Sequence, residues 1–308
     1  MRLAFFGTPR FAVPSLAALI ESRHEVALVV AQPDRPAGRG MNLRRPPVAE
    51  LAREAGIPLL QPDRVRDERF IEAFTAAGVE FAAVVAYGKI LPAALLAVPP
   101  RGFVNVHGSV LPKYRGAAPI QRAIENGETG TGVTIMQLDE QMDHGPVFAV
   151  AEIAIGPDEH TPELAERLAA AGGDLLVEVL DAIERGTAVA REQDHASATY
   201  APKIEREEGS VRWEEPARRI YDRYRAFDPW PGLTATIRGE AIRLVEIELA
   251  GPDGGRPGEL EAIEGESAIV ACGSGSIRIR RLQRPGKRPA AAADLLRGWG
   301  IAAGARVE

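Results

Sequence analysis

Asn105 and His107, two residues apart in "FVNVHG", are the first side chains whose types and spacing suggest a reaction. If the run is a strand, a period of two puts both on one face, and Val104 and Val106 turn into the packing. Gly108 then breaks the strand. An amide donor beside an imidazole can hold a developing oxyanion and move a proton. A third polar residue, Asp143, follows the next apolar run, "TGVTIMQLDE", in a turn with His144 and Gly145. With one βα crossover between the runs, neighbouring strand ends would bring Asn105, His107 and Asp143 together. Spacing alone leaves two readings open, a satisfied polar cluster or a catalytic centre. His144 reads as a solvated loop residue, and His24, His160 and His195 as surface or linker residues. These histidines lack the i, i+4 spacing of metal ligands, and Cys272 is the only cysteine, so the expected site holds no metal.

Such a trio needs strand ends to carry it, and the first two hundred residues supply them. "LAFFG", "EVALVVAQ", "VEFAAVVAYG", "GFVNVHG" and "TGVTIMQLDE" read as buried strands. Between them "VPSLAALIESR", "PPVAELAREAG" and "APIQRAIENG" read as helices, the last two closed by Gly56 and Gly127. "TPELAERLAAAGGDLLVEVLDAIERG" is a long helix with Thr161 as its expected N-cap. This alternation predicts an α/β domain with a mostly parallel sheet, whose ligands sit at the carboxyl ends of the strands. The turn after the first strand, "FFGTPRFA", lacks the glycine fingerprint of dinucleotide binding. Near residue 190 the pattern gives way to polar, aperiodic sequence and then to short strands separated by Gly, Pro and Asp, which predicts a small β-barrel. The expected division is 1–189, a linker at 190–208, and 209–308.

Composition places the 308-residue chain among soluble globular proteins, with 45% hydrophobic and 26% charged residues. One cysteine suits a reducing cytoplasm, and no apolar run approaches membrane-spanning length. The net charge of -6 argues against nucleic-acid binding by the protein as a whole. Two stretches run against it. "QPDRPAGRGMNLRRPPV" carries Arg35, Arg39, Arg44 and Arg45 where a short turn would do. From residue 276 to 306, Arg278, Arg280, Arg281, Arg284, Lys287, Arg288, Arg297 and Arg306 face one acid, Asp294.

Six motifs in order, "FFGTPRFAVPSL", "QPDRPAGRG", "VVAYGKILP", "NVHGSVLPKYRGAAPIQRAIENGE", "TGVTIMQLDEQMDHGP" and "RAFDPWPG", resemble the methionyl-tRNA formyltransferases over nearly the whole chain. The resemblance implies a Rossmann-like formyltransferase domain followed by an OB-like barrel, and Asn105, His107 and Asp143 as the catalytic trio. It implies 10-formyltetrahydrofolate as co-substrate, contacted by Ser109, Val110, Leu111 and Pro112 and, along "VAYGKILP", by Tyr87 and Gly88. Val110 stands where the family more often has leucine, and Lys89 where an apolar residue is usual. The implied partner is methionyl-initiator tRNA, held at its acceptor end by the loop of Arg35, Arg39, Arg44 and Arg45 and along its backbone by Arg280, Arg281, Lys287 and Arg288. The expected protein is a cytoplasmic monomer. A formyltransferase acting on a small amine and a formyltetrahydrofolate hydrolase would use the same trio, and a non-catalytic RNA-binding protein would not need it.

Overall fold

The computed structural model describes residues 1–37, 42–251 and 255–308. It divides into two compact units, one of residues 1–119, 130–154 and 164–201, the other of 120–129, 155–163 and 202–308. The strands of the first unit are β1 (Arg2–Gly7), β2 (Glu25–Val30), β3 (Arg35–Ala37), β4 (Asn42–Arg44), β5 (Leu59–Leu60), β6 (Phe81–Val85), β7 (Phe103–His107), β8 (Arg115–Gly116), β9 (Gly130–Gln137), β10 (Val147–Ala154) and β11 (Tyr200–Ala201). Seven of them form one sheet in the order β10-β9-β7-β6-β1-β2-β5. β1 pairs in parallel with β2 and β6, β2 with β5, and β6 with β7, so this part of the sheet is the expected parallel one. Its strands are apolar along their whole length because both faces are covered: Leu3, Phe5, Val29, Val85 and Val104 are all fully buried. Phe6 lies at the centre, with Phe74, Tyr87 and Phe103 rings 5.4 to 5.7 Å from its own.

Helices α1 (Val13–Glu21), α2 (Pro47–Glu54), α3 (Glu68–Ala76), α4 (Ala93–Leu96), α5 (Pro119–Glu125) and α6 (Thr161–Arg185) follow the strand runs. Proline in the first turn of α1 and of α2 costs no hydrogen bond there. Asp67 caps α3 by accepting the Arg69 N–H at 2.9 Å. Thr161 departs from expectation. It is the first helical residue of α6, and its hydroxyl donates to the Ala226 carbonyl at 2.7 Å instead of capping the helix.

A second departure shapes the site. β9 runs antiparallel to β7, with His107 opposite Thr134 and Val104 opposite Gln137. The carboxyl end of β9 therefore lies beside the amino end of β7, and Asp143 does not come from a parallel neighbour. It comes from the excursion between β9 and β10, whose base is closed by the Gln137 N–H donating to the Pro146 carbonyl at 2.8 Å.

The second unit holds α7 (Ala217–Ala226), the strands β12 (Leu233–Ile237), β13 (Glu240–Ala250), β14 (Leu260–Glu264), β15 (Ser267–Ala271), β16 (Ser276–Gln283) and β17 (Ala290–Ala291), and α8 (Ala292–Gly298). The sheet order is β12-β13-β16-β15-β14, with antiparallel pairing throughout and β17 added to β16. The segment 304–308 bridges its two edges. Glu308 exchanges backbone bonds with Thr236 of β12, while Val307 and Ala305 bond Gly258 and Leu260 beside and in β14. This makes the predicted small barrel, with no edge of β12 or β14 left open there. Arg225, fully buried, donates to the Glu159 carbonyl at 2.9 Å and pairs with Asp222 at 2.5 Å, which ties residues 155–163 to α7. No helix among the described residues is long and apolar enough to cross a membrane.

Candidate active site

β7 carries Asn105 and His107 on one side of the sheet, while Val104 and Val106 are buried in the packing. Past the strand the chain turns sharply, and the turn is held by β9. Thr134 donates its hydroxyl to the Ser109 carbonyl at 2.7 Å and accepts the Leu111 N–H at 3.2 Å. Ser109 closes the turn from inside, its hydroxyl donating to the Lys113 carbonyl at 2.7 Å. At the end of this loop Tyr114 has φ 60°, in the left-handed region, and its carbonyl lies 2.9 Å from His107 Nε2.

That contact assigns the tautomer. A carbonyl oxygen only accepts, so Nε2 carries the hydrogen, and the neutral ring presents an unprotonated Nδ1. Nδ1 faces Asp143, with Oδ1 at 3.6 Å, too long for a hydrogen bond and close enough for charge to matter. The ring is only 5% exposed. Asp143 itself has φ 52°, an uncommon conformation that aspartate tolerates better than most residues. Its other oxygen, Oδ2, accepts the Gly116 N–H at 2.8 Å. A side chain at position 116 would not fit, since φ is +122° and a Cβ would stand 2.7 Å from the Ala201 carbonyl oxygen. Asn105 is half-buried, and its amide makes no side-chain hydrogen bond among the described residues. Non-glycine residues with positive φ occur at four described positions, and three of them, Ala86, Tyr114 and Asp143, adjoin this region.

The arrangement thus joins the three predicted polar residues around one ring nitrogen. A free amide donor, an imidazole with one open basic nitrogen and a carboxylate behind it can bind an oxyanion and shuttle a proton. Asp143 then stabilises the imidazolium.

The residues expected on the folate side separate into two groups. Ser109 is completely buried, Leu111 lies beneath the loop, and Tyr87 is 1% exposed with its ring against Phe6. Burial pushes the Tyr87 phenol up to about 12. Its carbonyl accepts Thr8 Oγ1 at 3.1 Å and Gln32 Nε2 at 2.9 Å. These three residues build the wall, whereas Gly88 is exposed and Val110 and Pro112 are half-buried. Lys89 donates to the carbonyls of Pro62 and Asp63 at 3.0 and 2.8 Å, a local tie, and burial with nearby Arg35 lowers its pKa.

Arg35 and Arg44 stand directly opposite each other in the β3–β4 hairpin, both exposed. Arg45 lies 3.7 Å from Asp34. Arg39 falls outside the described residues. The barrel arginines are arranged differently. Arg280 forms a forked pair with Glu248 at 2.6 and 3.0 Å, Arg278 donates to Glu264 at 3.1 Å, and Arg284 pairs with Glu240 at 3.0 Å. Arg281 donates to the Pro289 carbonyl at 3.1 Å, and Lys287 and Arg288 are exposed without a side-chain ion pair among the described residues.

The histidines outside the trio were only partly legible. His24 is buried, not at the surface, and burial lowers its pKa. His24, Asp181 and Glu184 cluster there, with Arg23 bonded to Asp181 at 2.7 Å and 2.8 Å from Glu184. His144 and His195 stack face to face, with ring centres 4.0 Å apart. Sequence reasoning passed over Arg115 and Gln193, which bond each other beside Asp143. "QD" in a polar stretch carries no signal of that role.

Residues 1–180 match the formyl transferase family model, and 203–300 match the formyl transferase C-terminal domain. The methionyl-tRNA formyltransferase of Sorangium cellulosum is 48% identical over 307 residues, 99% of this chain and 98% of that one. That of Thermus thermophilus is 46% identical over 100% of this chain and 99% of its own. Among solved structures, an N-formyltransferase from Helicobacter canadensis with folinic acid and dTDP-3-aminofucose aligns with TM-score 0.67 at 18% identity, over 90% of this chain and 98% of that one. HypX from Aquifex aeolicus in complex with tetrahydrofolic acid aligns with TM-score 0.64 at 20% identity, over 96% of this chain and 47% of that one.

Proposed function

Since the chain belongs to the methionyl-tRNA formyltransferase family, we propose that Asn105, His107 and Asp143 are the groups that carry out its formyl transfer. The protein is an enzyme of translation initiation that formylates methionyl-initiator tRNA, with a folate as donor. The donor is 10-formyltetrahydrofolate, which meets the exposed backbone at Gly88 and the loop at Val110 and Pro112.

One observation carries the assignment: Tyr114 occupies His107 Nε2, so exchange with the substrate runs through Nδ1, backed by Asp143 at 3.6 Å. The methionyl amine attacks the formyl carbon and a C–N bond forms. The carbonyl oxygen becomes an oxyanion, which the Asn105 amide stabilises by donating to it. The amine proton passes to His107 Nδ1, and the carboxylate of Asp143 steadies the imidazolium. The same proton goes to N10 of the folate as the old C–N bond breaks, releasing tetrahydrofolate and formyl-methionyl-tRNA. His107 ends as it began.

The tRNA is gripped at its acceptor end by Arg35, Arg39, Arg44 and Arg45, and its backbone by Arg281, Lys287 and Arg288, with Arg280 in a lesser part. The chain divides the work between a transfer domain at 1–189 and a tRNA-holding domain at 209–308, joined by 190–208.

The test is formylation of Met-charged initiator tRNA from 10-formyltetrahydrofolate. Asn105→Ala, His107→Ala and Asp143→Ala each lower kcat by about 100-fold or more, with melting temperatures near wild type. Near-normal turnover by folded His107→Ala removes the assignment. An amino-sugar nucleotide, glycinamide ribonucleotide and water serve as rival acceptors, and turnover faster with any of them than with the tRNA overturns the acceptor.

A further inference from the structure

We infer that Gln193, held by Arg115, is a positioning residue that fixes Asp143 for proton transfer. This rests on the reading of Asp143 and His107 given above. Gln193 is 7% exposed and Arg115 4%. The Gln193 amide nitrogen donates to two carbonyls of the β9–β10 excursion, that of Asp143 at 3.0 Å and that of Gly145 at 2.7 Å. Its oxygen accepts from Arg115 Nε at 3.2 Å and from the adjacent guanidinium nitrogen at 2.6 Å. The amide thus has both hydrogens and its oxygen engaged, and it has one orientation, because a carbonyl cannot take the hydrogen that only the NH2 end supplies.

The clamp acts where the backbone is least content. Asp143 at φ 52° has lower-energy conformations available, and any relaxation swings the carboxylate away from His107 Nδ1. The Gly116 N–H fixes the carboxylate end and Gln193 the carbonyl end of the same residue. Gly116 and Arg115 are the two residues of β8, whose partner strand β11 lies just beyond Gln193 in the chain. The stretch 193–201 also reaches the other side of the site: Thr199 Oγ1 accepts the Tyr114 N–H at 2.9 Å, and Tyr114 is the residue that holds His107 Nε2. One polar segment therefore sets both members of the His107–Asp143 pair.

The charged groups around the clamp come from three elements. The same guanidinium nitrogen of Arg115 lies 2.9 Å from His195 Nδ1, so that nitrogen accepts. His195 stacks on His144, whose Nδ1 lies 3.0 Å from Asp139. Arg115 is the only cation among these neighbours with both its contacts directed at the clamp.

The experiment compares Gln193→Glu, Gln193→Ala, Asp143→Ala and the double variant Asp143→Ala/Gln193→Ala in the full-length enzyme. Glutamate keeps the shape and strengthens the tie to Arg115, but it cannot donate to the two carbonyls. Gln193→Glu is therefore expected to melt at or above wild-type temperature and to lose about 10-fold or more in kcat, with KM for folate and tRNA within about threefold. Gln193→Ala loses at least as much. The double variant is no slower than Asp143→Ala alone, because a residue acting only through Asp143 adds nothing once Asp143 is gone. Normal kcat in Gln193→Glu, or losses that multiply in the double variant, overturns the inference while leaving Asp143 in place. Normal kcat in Asp143→Ala overturns the reading beneath it. If Gln193→Ala does not fold, the glutamate variant still decides.

Discussion

Two antiparallel ladders in this protein carry arginines, and they treat them in opposite ways. In the β3–β4 hairpin Arg35 faces Arg44 across the ladder, and both are exposed. In the β13–β16 pair the register sets Glu248 against Arg278 and Glu246 against Arg281, and side chains reach on to Glu264, Glu248 and Glu240. Like charges directly opposite destabilise a ladder, and opposite charges support it. The hairpin therefore keeps a charge that the fold itself does not use, while most of the barrel charge is used by the fold. An uncompensated pair of guanidinium groups at the end of a parallel sheet is the better phosphate ligand, although the longer run of basic residues lies in the barrel.

The sharpest way to break this comparison is to remove both hairpin charges. Arg35→Gln with Arg44→Gln is expected to raise KM for tRNA about 10-fold or more at low salt, and to lower the slope of log KM against log salt by about two. kcat for bound substrate changes little, and the melting temperature stays level or rises, since a repulsion is lost. A fall in stability with unchanged KM shows instead that the hairpin arginines support the fold. Less loss follows from Lys287→Gln with Arg288→Gln, exposed and unpaired but on a surface rich in carboxylates: KM rises about threefold, with a smaller fall in slope.

The same contrast explains how much was legible. Asn105 and His107 could be placed on one face because a strand has a fixed period of two, and Val104 and Val106 confirm the frame by their burial. The parallel strands and the barrel followed from apolar runs and turn residues in the same local way. Asp143 was expected beside His107 by the wrong route. Strand direction is decided by which neighbour the chain finds in the sheet, and nothing within "TGVTIMQLDE" says that β9 enters reversed. Gln193 and Arg115 were invisible, because a clamp made of one amide and two carbonyls lies in backbone geometry. The folate-side residues were named as a row, but a loop has an inside. Ser109, Leu111 and Tyr87 went to the inside because Thr134 and Phe6 hold them there. The basic tail failed in the opposite sense. A charge count along the chain cannot see Glu240, Glu248 and Glu264, which arrive from other strands.

The smallest expected effect is the most exacting for the comparison. Arg280 sits mid-strand on β16, exposed, with both its printed bonds made to Glu248. To bind a phosphate it must leave that carboxylate, and leaving Glu248 beside the phosphate adds a repulsion. The gain from the new contact is largely offset. Arg280→Gln is therefore expected to change KM for tRNA by less than about twofold and to leave the salt slope unaltered. Its melting temperature falls slightly, as an exposed pair is lost. Glu248→Gln sharpens the point, because it releases Arg280 without removing it. If pairing is what silences this arginine, the variant binds tRNA more tightly than wild type, and the salt slope steepens by a fraction of one contact. If Glu248→Gln leaves binding unchanged while Arg280→Gln weakens it severalfold, Arg280 already reaches the tRNA past its partner, and ladder charge is no guide to which arginines are free.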